Sequence, residues 1–116
     1  MRKLLPAHRY EVHLPIVVRA PGQTLVTGVT NFMSTRDVSF RLEKPHAIAR
    51  GAAVTLYVSL PPEFTASNRV LIRARGHVLN VRRGSRSRTG GSAFIAAMDS
   101  YAFVPKEEWA LNARII

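Results

Sequence analysis

The chain has 116 residues, enough for one domain with a core that needs no cross-links. It contains no cysteine, which excludes disulfides and thiolate metal sites. Lys and Arg number 17 against 7 Asp and Glu, and the resulting net charge of +10 favours phosphates, nucleic acid or an acidic partner.

The sequence has no recognisable export or membrane segment. Its first ten residues, MRKLLPAHRY, lack the run of about seven apolar residues that forms a signal-peptide core. No stretch approaches the roughly 18 apolar residues of a membrane span. We therefore expect a soluble, cytoplasmic protein. The four histidines are scattered without ligand-like spacing, so we expect no metal site.

Residues 1–11 are predicted to form a flexible basic arm, because Pro6 discourages a helix there. The first strand is expected over 12–19, where apolar residues alternate from Val12 to Val18. A proline at position 15 indicates that this strand lies at an edge or carries a bulge.

A second strand is predicted over 24–31 and a third over 37–42, with the polar turn Ser34-Thr35-Arg36-Asp37 between them. Ser34 and Asp37 can bond backbone groups at the turn. Arg36 can present a fork of donors to an anion. The alternative is a hairpin-like connection whose polar residues are simply solvated.

The fourth strand is predicted to end at Leu60, and the fifth, over 70–83, is the longest. On the fifth, Arg73, Arg75 and His77 face away from the core, and Gly76 is expected to mark a bend or bulge. The sixth strand is predicted over 92–98, after an arginine-rich loop. A short helix is expected to close the chain over 105–116.

These elements predict an all-β protein, a small six-stranded antiparallel barrel with a short C-terminal helix. We expect one domain over 1–116, composed of the arm (1–11), the barrel (12–104) and the helix (105–116).

Five stretches of the chain resemble the PilZ family, and together they extend from about Arg9 to Val104. They are Arg9-Tyr10 with the following VHLPIVV, then GVTNFMSTRDVSF, ARGAAVTLYVSLPPEF, RVLIRARGHVLNVRR and GSAFIAAMDSYAFV. The resemblance implies a six-stranded barrel with a C-terminal helix that binds cyclic di-GMP. It also implies two binding signatures: R-x-x-x-R in the arm before the first strand, and D/N-x-S-x-x-G between the second and third strands.

Two of the five signature positions are kept. Arg9 matches the second arginine of the arm, and Ser34 matches the serine of the second signature. Leu5 stands where the first signature has its first arginine. Phe32 stands at the Asp or Asn position of the second signature, and Asp37 stands at its glycine position. The chain therefore resembles a PilZ domain with a degenerate nucleotide site.

Asn31 lies one residue out of register with the missing acidic or amide position. It can take that role only if the strand carries a bulge at this point. The carboxylate of Asp37, in contrast, repels an approaching phosphate.

The first functional hypothesis is a PilZ-type signalling module of bacterial cyclic di-GMP pathways, which binds the nucleotide weakly or through a non-standard site. Its candidate ligand-binding residues are Arg9, Asn31, Ser34, Arg36, Arg73 and Arg75. The alternative for the two signature residues is that Arg9 is solvated and Ser34 caps a turn. No other cofactor is expected.

The second hypothesis is a PilZ-like adaptor that binds a protein partner and no nucleotide. Tyr57, expected to be exposed, and the tail Ile115-Ile116 are candidate contacts, although core or helix-end packing accounts for them as well. The third hypothesis is a basic barrel that binds single-stranded nucleic acid. Such barrels usually offer aromatic residues on which bases stack, and in this sequence the aromatic residues are not interleaved with the arginines. We do not expect the protein to be an enzyme, because no residues are spaced in the sequence as a catalytic nucleophile and its base would be.

Overall fold

The computed structural model describes residues 10–22, 25–42, 48–62, 70–83 and 92–104. These ranges contain the strands β1 (Tyr10–Glu11), β2 (Pro15–Arg19), β3 (Val26–Met33), β4 (Asp37–Leu42), β5 (Ala53–Leu60), β6 (Val70–Arg83) and β7 (Ser92–Phe103). The expected helix over 105–116 and arm residues 1–9 lie outside the described residues. No helix within the described ranges is long and apolar enough to cross a membrane.

The strands form one sheet in the order β1-β3-β2-β5-β6-β7-β4, and a further pairing of β3 with β4 closes it. Every pairing is antiparallel. The closed ring contains six strands, and the two-residue β1 is an additional partner of β3. The predicted all-β, six-stranded antiparallel barrel is confirmed.

The barrel interior is filled by the apolar residues of each alternating strand. The largest fully buried side chains of this interior are Phe40, Phe94, Ile16, Met33, Leu42, Leu56, Leu60, Ile72, Val18 and Val38. Phe40 and Phe94 stack with ring centroids 5.4 Å apart. Period-two alternation places one face of a strand on the core, which is why the sequence pattern identified this barrel.

The first predicted strand is interrupted between β1 and β2, both of which pair with β3. The hydroxyl of Thr30, which is fully buried on β3, accepts a hydrogen bond from the Leu14 amide (2.8 Å) and donates one to the Val12 carbonyl (2.5 Å). Tyr10 pairs opposite Met33, so the chain enters the barrel beside the end of β3. One side chain thus replaces ladder bonds that the irregular segment does not form.

The bend or bulge predicted at Gly76 is present, and so is the bulge that Asn31 would need to take the amide position. The register of β3 against β4 shifts between Thr30 and Phe32, which leaves Asn31 as the extra residue. The register of β6 against β7 shifts between Arg75 and Gly76. A Cβ at Gly76 would lie 1.8 Å from the Ala97 carbonyl oxygen, so only glycine allows this approach.

Several predicted boundaries and one predicted exposure were wrong. β3 ends at Met33 instead of residue 31. After the extra residue of the bulge, Phe32 and Met33 still pair with β4, and the Met33 side chain is again buried in the core. β7 reaches Phe103 instead of residue 98, because its pairing with the long β6 continues past a bulge. Tyr57 is buried, not exposed, and packs with Val17, Leu71 and Val104 in a small cluster on the outer face.

Candidate functional site

The turn between β3 and β4 is built around Ser34. Its hydroxyl donates to the Asp37 carboxylate (2.9 Å) and accepts from the backbone amides of Arg36 and Asp37 (both 3.1 Å). The Ser34 amide donates to the Asp37 carbonyl (2.9 Å), and the residue is 3% exposed. Ser34 therefore stabilises the turn, and its hydroxyl is already engaged within the chain.

The other signature positions next to this turn have different surroundings. Phe32 is 44% exposed, on the outer face of β3. Asp37 is half-buried and holds Ser34. Asn31 is half-buried at the bulge, where its carbonyl accepts from the Val12 amide (3.1 Å). The bulge that Asn31 needs to take the amide position is thus present.

Asn31 lines a groove of about 300 Å³ on the outer surface of the barrel. The groove is also lined by Ser39, Arg41, Asn80, Arg82, Ala93, Phe94 and Ile95. Arg41, Ala93 and Arg82 pair side by side across β4, β7 and β6. Ala93 therefore lies between the two arginines in the sheet, and its side chain is only a methyl group.

The polar groups of the groove are mostly donors. The side-chain oxygen of Asn80 accepts from the Val81 amide (2.9 Å), which leaves its NH₂ group as the free end. Arg41 and Arg82 are exposed, and among the described residues no carboxylate lies within ion-pair distance of either. Two guanidinium groups and an amide donor can bind phosphate oxygens, and arginine can bond the acceptor edge of guanine.

The structure does not bring all the predicted ligand residues together. Arg36 is exposed at the turn, and its carbonyl accepts from the Met98 amide (2.7 Å), which extends the pairing of β4 with β7. Arg73 and Arg75 lie on the outer face of β6, and Arg75 is next to Thr55 of β5. From Arg75 to Arg82 the strand advances roughly 20 Å, so these arginines are remote from the groove. Arg9 lies outside the described residues.

Ser39, Arg41, Asn80 and Arg82 were not predicted as ligands for cyclic di-GMP. The alternation of β4 does place Ser39 and Arg41 on the outer face. Their meeting with β6 depends on β7 lying between the two strands, a non-local pairing that periodicity does not report. Asn80 also follows a second register shift, between Val78 and Asn80.

No three His, Asp or Glu side chains gather into a metal site within the part of the chain that the structure describes. His77 and Asp99 do contact each other on the outer face, with Nδ1 3.1 Å from Oδ2. This pair lies one strand away from the turn, not in the groove. Among the described residues, the groove is lined by arginine, amide, serine and apolar side chains.

No protein-family model and no curated protein matches the chain. Among solved structures, the fold is similar to that of the Bacillus subtilis inhibitor of motility (MotI/DgrA), with a TM-score of 0.67 and 14% sequence identity. The match covers 99% of this chain and 50% of that protein, so the chain spans half its length. At this identity the likeness concerns the fold alone. The chain folds as a PilZ-like barrel.

Proposed function

We propose that this protein is a PilZ-type signalling module that binds cyclic di-GMP through a non-standard site, the groove between β3, β4, β6 and β7. The observation that carries the proposal is the bulge at Asn31. It places an amide beside the groove that Arg41 and Arg82 line, close to the position where the family signature has its acidic or amide residue. The likeness to a protein named as an inhibitor of motility agrees with a regulatory role.

The groove suits this ligand chemically. Cyclic di-GMP carries two phosphates and two guanines, which need donors for the phosphate oxygens and for the guanine O6 and N7 atoms. Arg41 and Arg82 supply forked donors, and the Asn80 NH₂ group supplies another. The Asn31 amide offers both a donor and an acceptor to a guanine edge.

The arm enters at the same end of β3. Tyr10 pairs with Met33, and Val12 bonds to Asn31, so Arg9 is one residue away in sequence from this junction. We therefore assign Arg9 the role of closing over the bound nucleotide. Ser34 is assigned a supporting role, since it holds the turn that follows β3.

Isothermal titration calorimetry with cyclic di-GMP, at low and moderate salt, tests the proposal. A protein of net charge +10 attracts any dianion at low ionic strength, so only binding that persists at moderate salt counts. We expect saturable binding with Kd of about micromolar or tighter. Arg41→Ala and Arg82→Ala should each weaken it by roughly 1.5–3 kcal/mol, because each removes a charge-assisted hydrogen bond.

Arg50→Ala is the matched control, since Arg50 is exposed in the turn before β5 and its loss removes the same charge. Its affinity should stay that of the natural protein. Equal weakening in all three variants would mean that general charge, not the groove, attracts the nucleotide. No heat at moderate salt would refute the receptor function.

The second candidate function is a PilZ-like adaptor that binds no cyclic di-GMP. It is favoured by the engaged hydroxyl of Ser34 and by the exposed Phe32 at a signature position. In this case the triple variant Leu5→Arg, Phe32→Asp, Asp37→Gly should gain nucleotide binding that the natural chain lacks. If the triple variant stays silent in calorimetry while its circular dichroism is unchanged, side-chain loss alone does not account for the missing binding.

A further inference from the structure

The last five residues of β7, Asp99 to Phe103, form a sheet edge that has no second neighbour among the described strands. β7 pairs with β6 along its whole length, but β4 pairs with it only over Ala93–Ala97, followed by the bond from the Met98 amide to the Arg36 carbonyl. Beyond that bond, no described strand lies on the second side of β7.

The hydrogen-bonding pattern of β7 with β6 shows which backbone amide and carbonyl groups point outward at this edge. The Val104 amide donates to the Leu71 carbonyl (2.8 Å), so Val104 and Leu71 form a hydrogen-bonded pair of the antiparallel ladder. Hydrogen-bonded pairs alternate along such a ladder, so Ala102 and Arg73 form the next one. Tyr101 and Phe103 occupy the intervening positions. Their amide and carbonyl groups therefore point away from β6.

The side chains at the edge divide into two unlike faces. Tyr101 and Phe103 lie on the same face as Ala74 and Ile72, yet they are 38% and 56% exposed. Ser100 and Ala102 lie on the outer face, opposite Arg75 and Arg73 of β6. One face of the edge is therefore aromatic, and the other is a row of small residues that leads to arginines.

Exposed edges are usually protected from pairing by proline, lysine, charge or a bulge. Residues 99–103, DSYAF, contain neither proline nor lysine. Asp99 is the extra residue of a bulge, and it protects only the end next to β4. The remaining residues offer backbone groups and aromatic surface together, which is the arrangement that binds an added strand.

We propose that this edge binds an extended acidic segment of a protein partner, which adds as a strand beside Asp99–Phe103. Its apolar side chains would cover Tyr101 and Phe103, and its alternate glutamates would face Ser100 and Ala102. The added strand would lie about 10 Å from β6, because β7 lies between them. A glutamate of the added strand and the exposed Arg75 of β6 would meet across this distance, above Ser100 and Ala102 of β7.

The charges favour a foreign acidic segment over a second copy of this chain. The same edge on a second copy offers Asp99 as its single acidic residue, and each copy carries a net charge of +10. Two such surfaces repel each other at ordinary ionic strength. An acidic segment gains from both the net charge and the nearby arginine.

The probe is a labelled synthetic peptide of about nine residues that alternates valine or tyrosine with glutamate, titrated by fluorescence anisotropy. Two matched peptides accompany it: one with lysine for each glutamate, and one with alternate amides N-methylated so that one edge cannot pair. We expect the glutamate peptide to bind at least about tenfold more tightly than either control, since both charge and backbone bonds contribute. Equal binding of the N-methylated peptide would overturn strand addition.

Tyr101→Pro tests the edge from the protein side. It removes an amide that points outward and leaves the ladder with β6 intact, so the barrel should still fold. We expect peptide affinity to fall by about tenfold or more and cyclic di-GMP titrations to stay unchanged. Because the peptide controls use the natural protein, the proposal remains testable even if this variant misfolds.

Arg75→Glu tests the charge preference, and it should reduce the ratio by which the glutamate peptide binds more tightly than the lysine peptide. An unchanged ratio would refute the role of Arg75. Dimers in sedimentation equilibrium that Tyr101→Pro abolishes would replace the acidic partner with a second copy. Absence of binding by all three peptides at about millimolar concentration would refute the docking site.

Discussion

Thr30→Val is the substitution that most directly tests how the entry of the chain into the barrel is stabilised. Valine has the same shape as threonine but cannot form hydrogen bonds. The Thr30 hydroxyl serves two groups, the Leu14 amide at 2.8 Å and the Val12 carbonyl at 2.5 Å. Both belong to the segment between β1 and β2 that leaves the ladder.

The substitution leaves a buried amide and a partly buried carbonyl without partners. Each unsatisfied buried group costs about 1–3 kcal/mol, so we expect a loss of roughly 2–4 kcal/mol in the free energy of unfolding. This corresponds to a fall in the melting midpoint of roughly 10 °C for a chain of this size.

Thr30→Ser is the matched control. It keeps the hydroxyl and removes one methyl group from the interior, at a cost of about 1 kcal/mol. Urea denaturation of the three proteins, followed by circular dichroism, measures the difference. Amide hydrogen exchange should also accelerate at Leu14 in the valine variant and not in the serine variant. If Thr30→Val proves as stable as Thr30→Ser, the hydroxyl does not hold the interruption together.

Three further predictions concern the core, the β6 bulge and the arm. Phe40→Ala should destabilise the protein by about 3–5 kcal/mol in urea denaturation, since the ring is fully buried against Phe94; a loss below about 1 kcal/mol would mean that the barrel collapses around the cavity. Gly76→Ala should cost at least about 1–3 kcal/mol, because its Cβ would overlap the Ala97 carbonyl oxygen at 1.8 Å, and an unchanged melting midpoint would contradict that approach. Arg9→Ala should weaken cyclic di-GMP binding by roughly 1.5–3 kcal/mol in calorimetry, and unchanged affinity would exclude the arm from the site.

The alternation of apolar residues determined the barrel. Each strand has one face on the core, so the pattern along β5 and β6 is visible without knowing which strands are neighbours. The bulge at Gly76 was predictable for a similar local reason, because a glycine inside a long strand marks a bend or a close approach. Ser34 could likewise be placed at a turn from its own chemistry.

The groove and the edge of β7 were decided by tertiary structure. Arg41 and Arg82 are far apart in the sequence, and they meet across Ala93 only because β7 pairs with both β4 and β6. Asn31 can take the amide position only if β3 carries a bulge, and the sequence alone could not show whether that bulge exists. A register shift depends on both partner strands, and the structure shows it. β7 outlasts β4 because β6 continues to pair with it. Which residues form one surface is therefore a property of strand pairing, and pairing joins parts of the chain whose local patterns carry no information about each other.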